Sequence, residues 1–223
     1  AKALQPYLAS ILSDRRNWKQ PKEKKQPISS EMLDLMEDWA DSATRKGKYG
    51  KFGRVPALWD LTCLACYTGS RLGEYGVSRR EKGSLFPTLP DSHDVPSAWR
   101  GRPIAFIPED FEFYNRKMVF IDWSKAWKHP KKAKILVVRF RYDKSPNNFE
   151  KRTFKRVKGQ FCPVRAAWSI LDRYYSNTNR LPDEPIGFFT ADNGRRTNVG
   201  SAHVKKFLTE ACEKAHPNPK HYL

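Results

Sequence analysis

Cys66-Tyr67-Thr68-Gly69-Ser70-Arg71-Leu72-Gly73-Glu74-Tyr75 is the most informative stretch of this chain. It is preceded by an apolar run from Leu58 to Tyr67, with Pro56 just ahead of it. Proline is tolerated only in the first turn of a helix, so the run predicts a buried helix opening there. Thr68-Gly69 allows a tight break. Arg71 and Glu74 then stand three apart, on one face of a new helical turn. An arginine fixed just beyond a buried helix can hold its planar five-donor fork rigid against a phosphate. The same residues also fit a plainer arrangement, a helix-ending glycine turn followed by a surface Arg–Glu pair.

Composition narrows the partners. The chain has 223 residues, 42 Lys and Arg against 24 Asp and Glu, and a formal net charge of +18. Such a balance points to a polyanion. Nucleic acid is favoured over a membrane, because no apolar stretch approaches the roughly 18–20 residues a span needs. Apolar residues make up 39% and aromatic residues 13%, enough for a real core and against disorder. The four cysteines form no disulfide framework in a chain of this length, so cytosol or nucleus is the default compartment. Cys63-x-x-Cys66 could suggest zinc or a redox pair. It lies inside the apolar helix with no second Cys/His pair at finger spacing, so small buried thiols are the better expectation. No metal or cofactor is expected.

Outward from the central stretch, residues 2–18 carry Leu4, Tyr7, Leu8, Ile11 and Leu12 at helical spacing. A basic, proline-bounded linker from Lys19 to Pro27 follows, so 1–27 is expected to be an amino-terminal helix and linker, and 28–223 the main domain. Ser29 or Ser30 caps a helix with Leu33, Met36, Trp39 and Ala43 inward, and Asp34, Glu37, Asp38 and Asp41 on its outer face. Val77–Arg102 is irregular and predicts an insertion or surface excursion. Strands are expected at Ile104–Ile107, Met118–Trp123, Ile135–Tyr142 and Arg152–Val157. The last two would form a hairpin turned by Ser145-Pro146-Asn147-Asn148. Helices are then expected from Pro163 through Tyr174 and from about Val199 to Ala215. The fold class is α+β, mostly helical with a small antiparallel sheet.

Charge is concentrated in the strand region. Residues 116–158 hold 15 Lys/Arg against 3 Asp/Glu. Val138, Phe140 and Tyr142 alternate with Arg139 and Arg141, which predicts one apolar and one cationic face. Arg139, Arg141, Lys151, Arg152, Lys155 and Arg156 are the expected contacts to a DNA backbone. A merely solvated basic face is the alternative, but one so lopsided would repel itself without an anionic partner.

The Thr68-Gly69-Ser70-Arg71-x-x-Glu74 box resembles the first active-site box of the tyrosine recombinases, the phage-integrase family, with Gly73 where that family has serine. The resemblance implies a lysine at the mouth of a downstream β-hairpin. Lys144 occupies that place, with Lys151 across the turn as competitor. Arg71 and Lys144 are 73 residues apart, farther than in compact bacterial members. The likeness covers roughly residues 28–220, and the Trp18-Lys19-Gln20-Pro21 stretch and the Ser-Ser-Glu-Met helix entry resemble eukaryotic, Crypton-type members. The family's second box, His-x-x-Arg, and its tyrosine nucleophile are not matched before Leu223, so the resemblance implies a partial catalytic domain, inert on its own.

The chemistry so implied is DNA strand cleavage and rejoining through a 3′-phosphotyrosyl link, serving integration, transposition or resolution in a mobile element. Arg71 would stabilise the transition state, Lys144 would protonate the leaving 5′-oxygen, and Glu74 would orient Arg71. Arg139, Arg141 and Lys151 could lower the Lys144 pKa. Expected partners are double-stranded DNA and further copies of the chain on that DNA. The expected compartment is the nucleus in a eukaryote, otherwise cytoplasm or nucleoid. Two other classes stay open: a recombinase-derived DNA-binding protein without catalysis, and an unrelated basic RNA-binding protein.

Overall fold

The computed structural model describes residues 28–69, 87–141, 149–159, 161–177 and 184–216. The expected helix and linker of 1–27 lie outside these residues. So do Arg71, Glu74 and Lys144.

Helix α1, Ser30–Lys46, starts because Ser29 is extended and its side chain accepts from the Met32 N–H. Glu31 in the first turn and Arg45 and Lys46 in the last complement the helix dipole. The fully buried stripe is Met32, Met36 and Ala40. Leu33 and Trp39 flank it only partly buried, so the inward face is turned slightly from the expected one. Helix α2, Arg54–Thr68, is the expected central helix. Leu58, Leu61, Cys63 and Leu64 are each about 1% exposed or less, and it packs between α1 and the later helix α4 (Pro163–Tyr175). It ends at Gly69, whose φ of 67° is left-handed and whose N–H donates to the Ala65 carbonyl at 2.8 Å. Glycine takes that conformation without a Cβ penalty, so the break at Thr68-Gly69 is a helix C-cap. Cys63 is buried as expected, but Cys66 is exposed.

Four strands make one antiparallel sheet in the order β2-β1-β3-β4. They are β1 Phe111–Tyr114, β2 Phe120–Ile121, β3 Ile135–Phe140 and β4 Glu150–Lys155. Strands β3 and β4 pair in the register Ile135↔Lys155 to Phe140↔Glu150, so they are the two arms of the expected hairpin, with β4 two residues earlier than the expected Arg152–Val157 and the expected turn residues 145–148 outside the described residues. Ile104–Ile107 is not a strand; β1, just beyond it, supplies the neighbour of β3 instead. Short helix α3, Trp123–Ala126, is capped by Asp122. Helix α4 packs on the core face of the sheet, with Trp168 edge-on to Phe113 at 4.9 Å. Strands β5 (Phe188–Thr190) and β6 (Arg196–Asn198) form a small separate hairpin, and α5, Ser201–Ala215, returns to pack on α1. The result is a mixed α/β arrangement of helices around small antiparallel sheets. Among the described residues no helix is long and apolar enough to cross a membrane.

Arg141 departs from expectation. Its side chain is 1% exposed, so it belongs to the interior and not to a cationic surface. Its Nε donates to Asp110 at 2.7–2.9 Å, and its terminal nitrogens donate to the Pro103 and Ala105 carbonyls, each at 2.7 Å. Asp110 also accepts from the Ile107 N–H at 2.9 Å. The pair therefore holds segment 103–110 against the end of β3. Of the expected excursion Val77–Arg102, residues 87–102 are described; with 103–104 they close on themselves through Leu89 N–H to Arg102 O and Ile104 N–H to Pro87 O, with Leu89 and Val95 buried.

Burial pushes the Asp110 carboxyl up to about 6, against the attraction of Arg141. In the unfolded chain a carboxyl titrates near 4. The folded state thus takes up this proton first on acidification, and the group favours folding as pH falls from 7 towards 5. Wild type should gain about 1 kcal/mol relative to Asp110→Asn over that interval, the order expected for one titrating pH unit. Denaturant unfolding of both proteins at pH 7 and pH 5 checks it. A gap that narrows on acidification would show that Arg141 controls the carboxyl instead of burial.

Candidate nucleic-acid interface

Seven cations converge on one open basin of about 600 Å³ at the Ile135–Lys155 end of the sheet. Arg116 reaches it from the turn between β1 and β2. Lys131 and Lys134 come from the segment leading into β3. Lys155, Arg156 and Lys158 follow from the end of β4, and Arg165 from the first turns of α4. No carboxylate stands among the residues that line it. Two unit charges 4 Å apart repel by about 1 kcal/mol in water and about 4 kcal/mol at an effective dielectric of 20. Convergence of this kind is unfavourable in isolation and is relieved by a bound polyanion.

The basin is held by backbone and guanidinium bonds. The Lys134 N–H donates to Tyr114 O at 2.9 Å, and the Arg156 N–H to Lys134 O at 2.7 Å. Arg156 also donates from its side chain to Pro130 O at 2.6 Å and Ala133 O at 3.0 Å, and Arg165 donates to Gly159 O at 3.0 Å. Partial burial lowers the Arg156 pKa, yet a guanidinium stays charged in proteins. Arg156 and Arg165 thus brace the rim, while Lys155 and Lys158 are exposed.

The six expected DNA contacts are divided. Lys155 and Arg156 line the basin. Arg139 and Lys151 share the outer sheet face with Lys155, but both are engaged by Glu112 Oε1, at 3.3 and 2.7 Å. Burial pushes Glu112 up, and bonds from Lys151 and Tyr114 with the Arg139 charge outweigh it, so its pKa is lowered overall and it stays ionised. Arg152 lies on the other face, 4.5 Å from the Phe140 ring centroid and 3.2 Å from Glu150. Arg141 is buried on Asp110 and cannot reach a phosphate. The cations beside the hairpin are therefore partly neutralised.

Arg116, Lys131, Lys134, Lys158 and Arg165 were not singled out by sequence. The first four fall inside the cationic window 116–158, so density signalled them and strand alternation did not. Arg165 had no sequence signal beyond its place after the helix-opening Pro163. The Tyr67 hydroxyl, two residues before Gly69, donates to Phe161 O at 3.2 Å, with ring centroids 5.0 Å apart. Phe161 stands between Gly159 and Arg165 of the basin, so the described end of α2 is tied to its rim. Among the described residues, no group of three or more His, Cys, Asp or Glu could hold a metal ion. No protein family, curated protein or solved structure matches this chain.

Proposed function

We propose that this chain binds the phosphate backbone of double-stranded DNA through the basin, as part of a tyrosine-recombinase catalytic domain. The observation that carries it is the carboxylate-free convergence of Lys131, Lys134, Lys155, Arg156, Lys158 and their two arginine neighbours. Phosphate contacts supply most sequence-independent affinity for DNA. Two further features support the recombinase part. The arginine box directly follows a helix capped at Gly69, and Lys144 lies within the connection of the β3–β4 hairpin.

In this proposal a tyrosine hydroxyl attacks the scissile phosphorus, forming the 3′-phosphotyrosyl bond as the bond to the 5′-oxygen breaks. The Arg71 fork carries the charge on the non-bridging oxygens. Lys144 gives its proton to the departing 5′-oxygen, and Glu74 orients Arg71. The phosphoester energy is conserved, so the free 5′-hydroxyl of another strand can reverse the step.

A nicked suicide substrate, with covalent adduct read on a denaturing gel, tests the catalytic half. In a protein continued through a His-x-x-Arg box and tyrosine nucleophile, Arg71→Ala should slow adduct formation by at least two to three orders of magnitude, the loss of about 3–4 kcal/mol. Lys144→Ala should be much milder where sulfur replaces the bridging 5′-oxygen, because a thiolate leaves without a proton. Full activity in Arg71→Ala would remove the recombinase assignment and leave DNA binding alone.

A further inference from the structure

The basin does not end at its cationic rim. Lys131, Arg156 and Arg165 also line a second cavity of about 420 Å³. Trp127 and Asp172 of that cavity in turn line a third of about 410 Å³. The three share walls and form one groove along α4, cationic at one end and aromatic at the other. Trp127 is 46% exposed and Tyr175 39% exposed, high for rings of that size. The Tyr175 ring is stacked on Trp123 with centroids 4.7 Å apart and planes at 25°, and Trp123 packs in turn on the buried Trp168 at 6.1 Å. That backing holds the Tyr175 ring in place before any ligand arrives, while Trp127 has the Lys128 ammonium 5.0 Å from its ring centroid. Asp172 is the carboxylate common to the two outer cavities, and Lys51 neutralises it at 2.6 Å.

We infer that this groove binds unpaired nucleotides of single-stranded DNA, with phosphates in the cationic basin and bases stacked on Trp127 and Tyr175. A positively charged channel that continues into aromatic rings is the recurring design for single strands, because every base offers a π-face. A duplex can use the cations but cannot offer its stacked bases to the rings. The inference rests on the basin as a phosphate site and adds a selectivity the basin alone lacks.

Fluorescence anisotropy with an oligo(dT) strand of about a dozen nucleotides, beside a duplex, separates the two claims. Trp127→Ala and Tyr175→Ser should each weaken the single strand about tenfold, the effect of removing one stacked base, and leave duplex affinity within about twofold. The unchanged duplex affinity also reports that the variants fold. Lys155→Glu should weaken both ligands. Single-strand affinity unaltered by either aromatic change, or falling only in step with duplex affinity, would overturn the groove. So would a ribo-oligonucleotide held much more tightly, which would assign it to RNA. Lys155→Glu without effect on either ligand would instead overturn the basin.

Discussion

Asp110→Ala should destabilise the protein by about 3–5 kcal/mol, measured as the unfolding free energy in denaturant. Asp110 is 1% exposed and Arg141 2% exposed. Removing the carboxylate leaves a buried guanidinium whose remaining partners among the described residues are the Pro103 and Ala105 carbonyls and the Trp99 ring. An uncompensated buried charge of this kind costs about that much, whereas replacing both partners by apolar residues of similar volume is often close to neutral. Asp110→Leu with Arg141→Met should therefore recover much of the loss. A double variant as unstable as Asp110→Ala would show that the two carbonyl bonds, and not the charge, hold segment 103–110. Since total stability of a domain is about 5–15 kcal/mol, the single change should be visible even in expression yield.

The helices were legible because their signals are local. Pro163 opens α4, Gly69 closes α2, and Ser29 caps α1, each by a mechanism that acts within a few residues. The hairpin was legible because two strand-like runs stand close together in the sequence, although β4 pairs as Glu150–Lys155, two residues earlier than the expected Arg152–Val157. Strand β1 escaped because Phe111-Glu112-Phe113-Tyr114 is only four residues long and takes its meaning from β3, more than twenty residues later. Period-2 alternation put Arg139, in β3, and Arg141, just beyond its end, on one face, and both guanidinium groups lie beside the Trp99 ring. It could not reveal that residues 87–110 fold over one end of that face, burying Arg141 and bringing Trp99 within 5.1–5.2 Å of both guanidinium carbons. The basin was only half legible for the same reason. Its cations come from β1–β2, β3, β4 and α4, and linear density can say that charge is abundant without saying where it converges.

Salt dependence of duplex binding is the most direct measurement of the central claim. Each phosphate neutralised contributes about −0.9 to the slope of log affinity against log salt concentration. A basin meeting several phosphates should therefore give wild type a steep slope. The triple reversal Lys131→Glu, Lys155→Glu and Lys158→Glu should flatten it by about 2.7, one phosphate for each lysine, and should lower affinity by orders of magnitude at low salt. Arg139→Gln, at a site already engaged by Glu112, should leave the slope nearly unchanged. A triple variant with the wild-type slope, or Arg139→Gln flattening it as much as the triple reversal, would contradict the account and move the DNA off the basin.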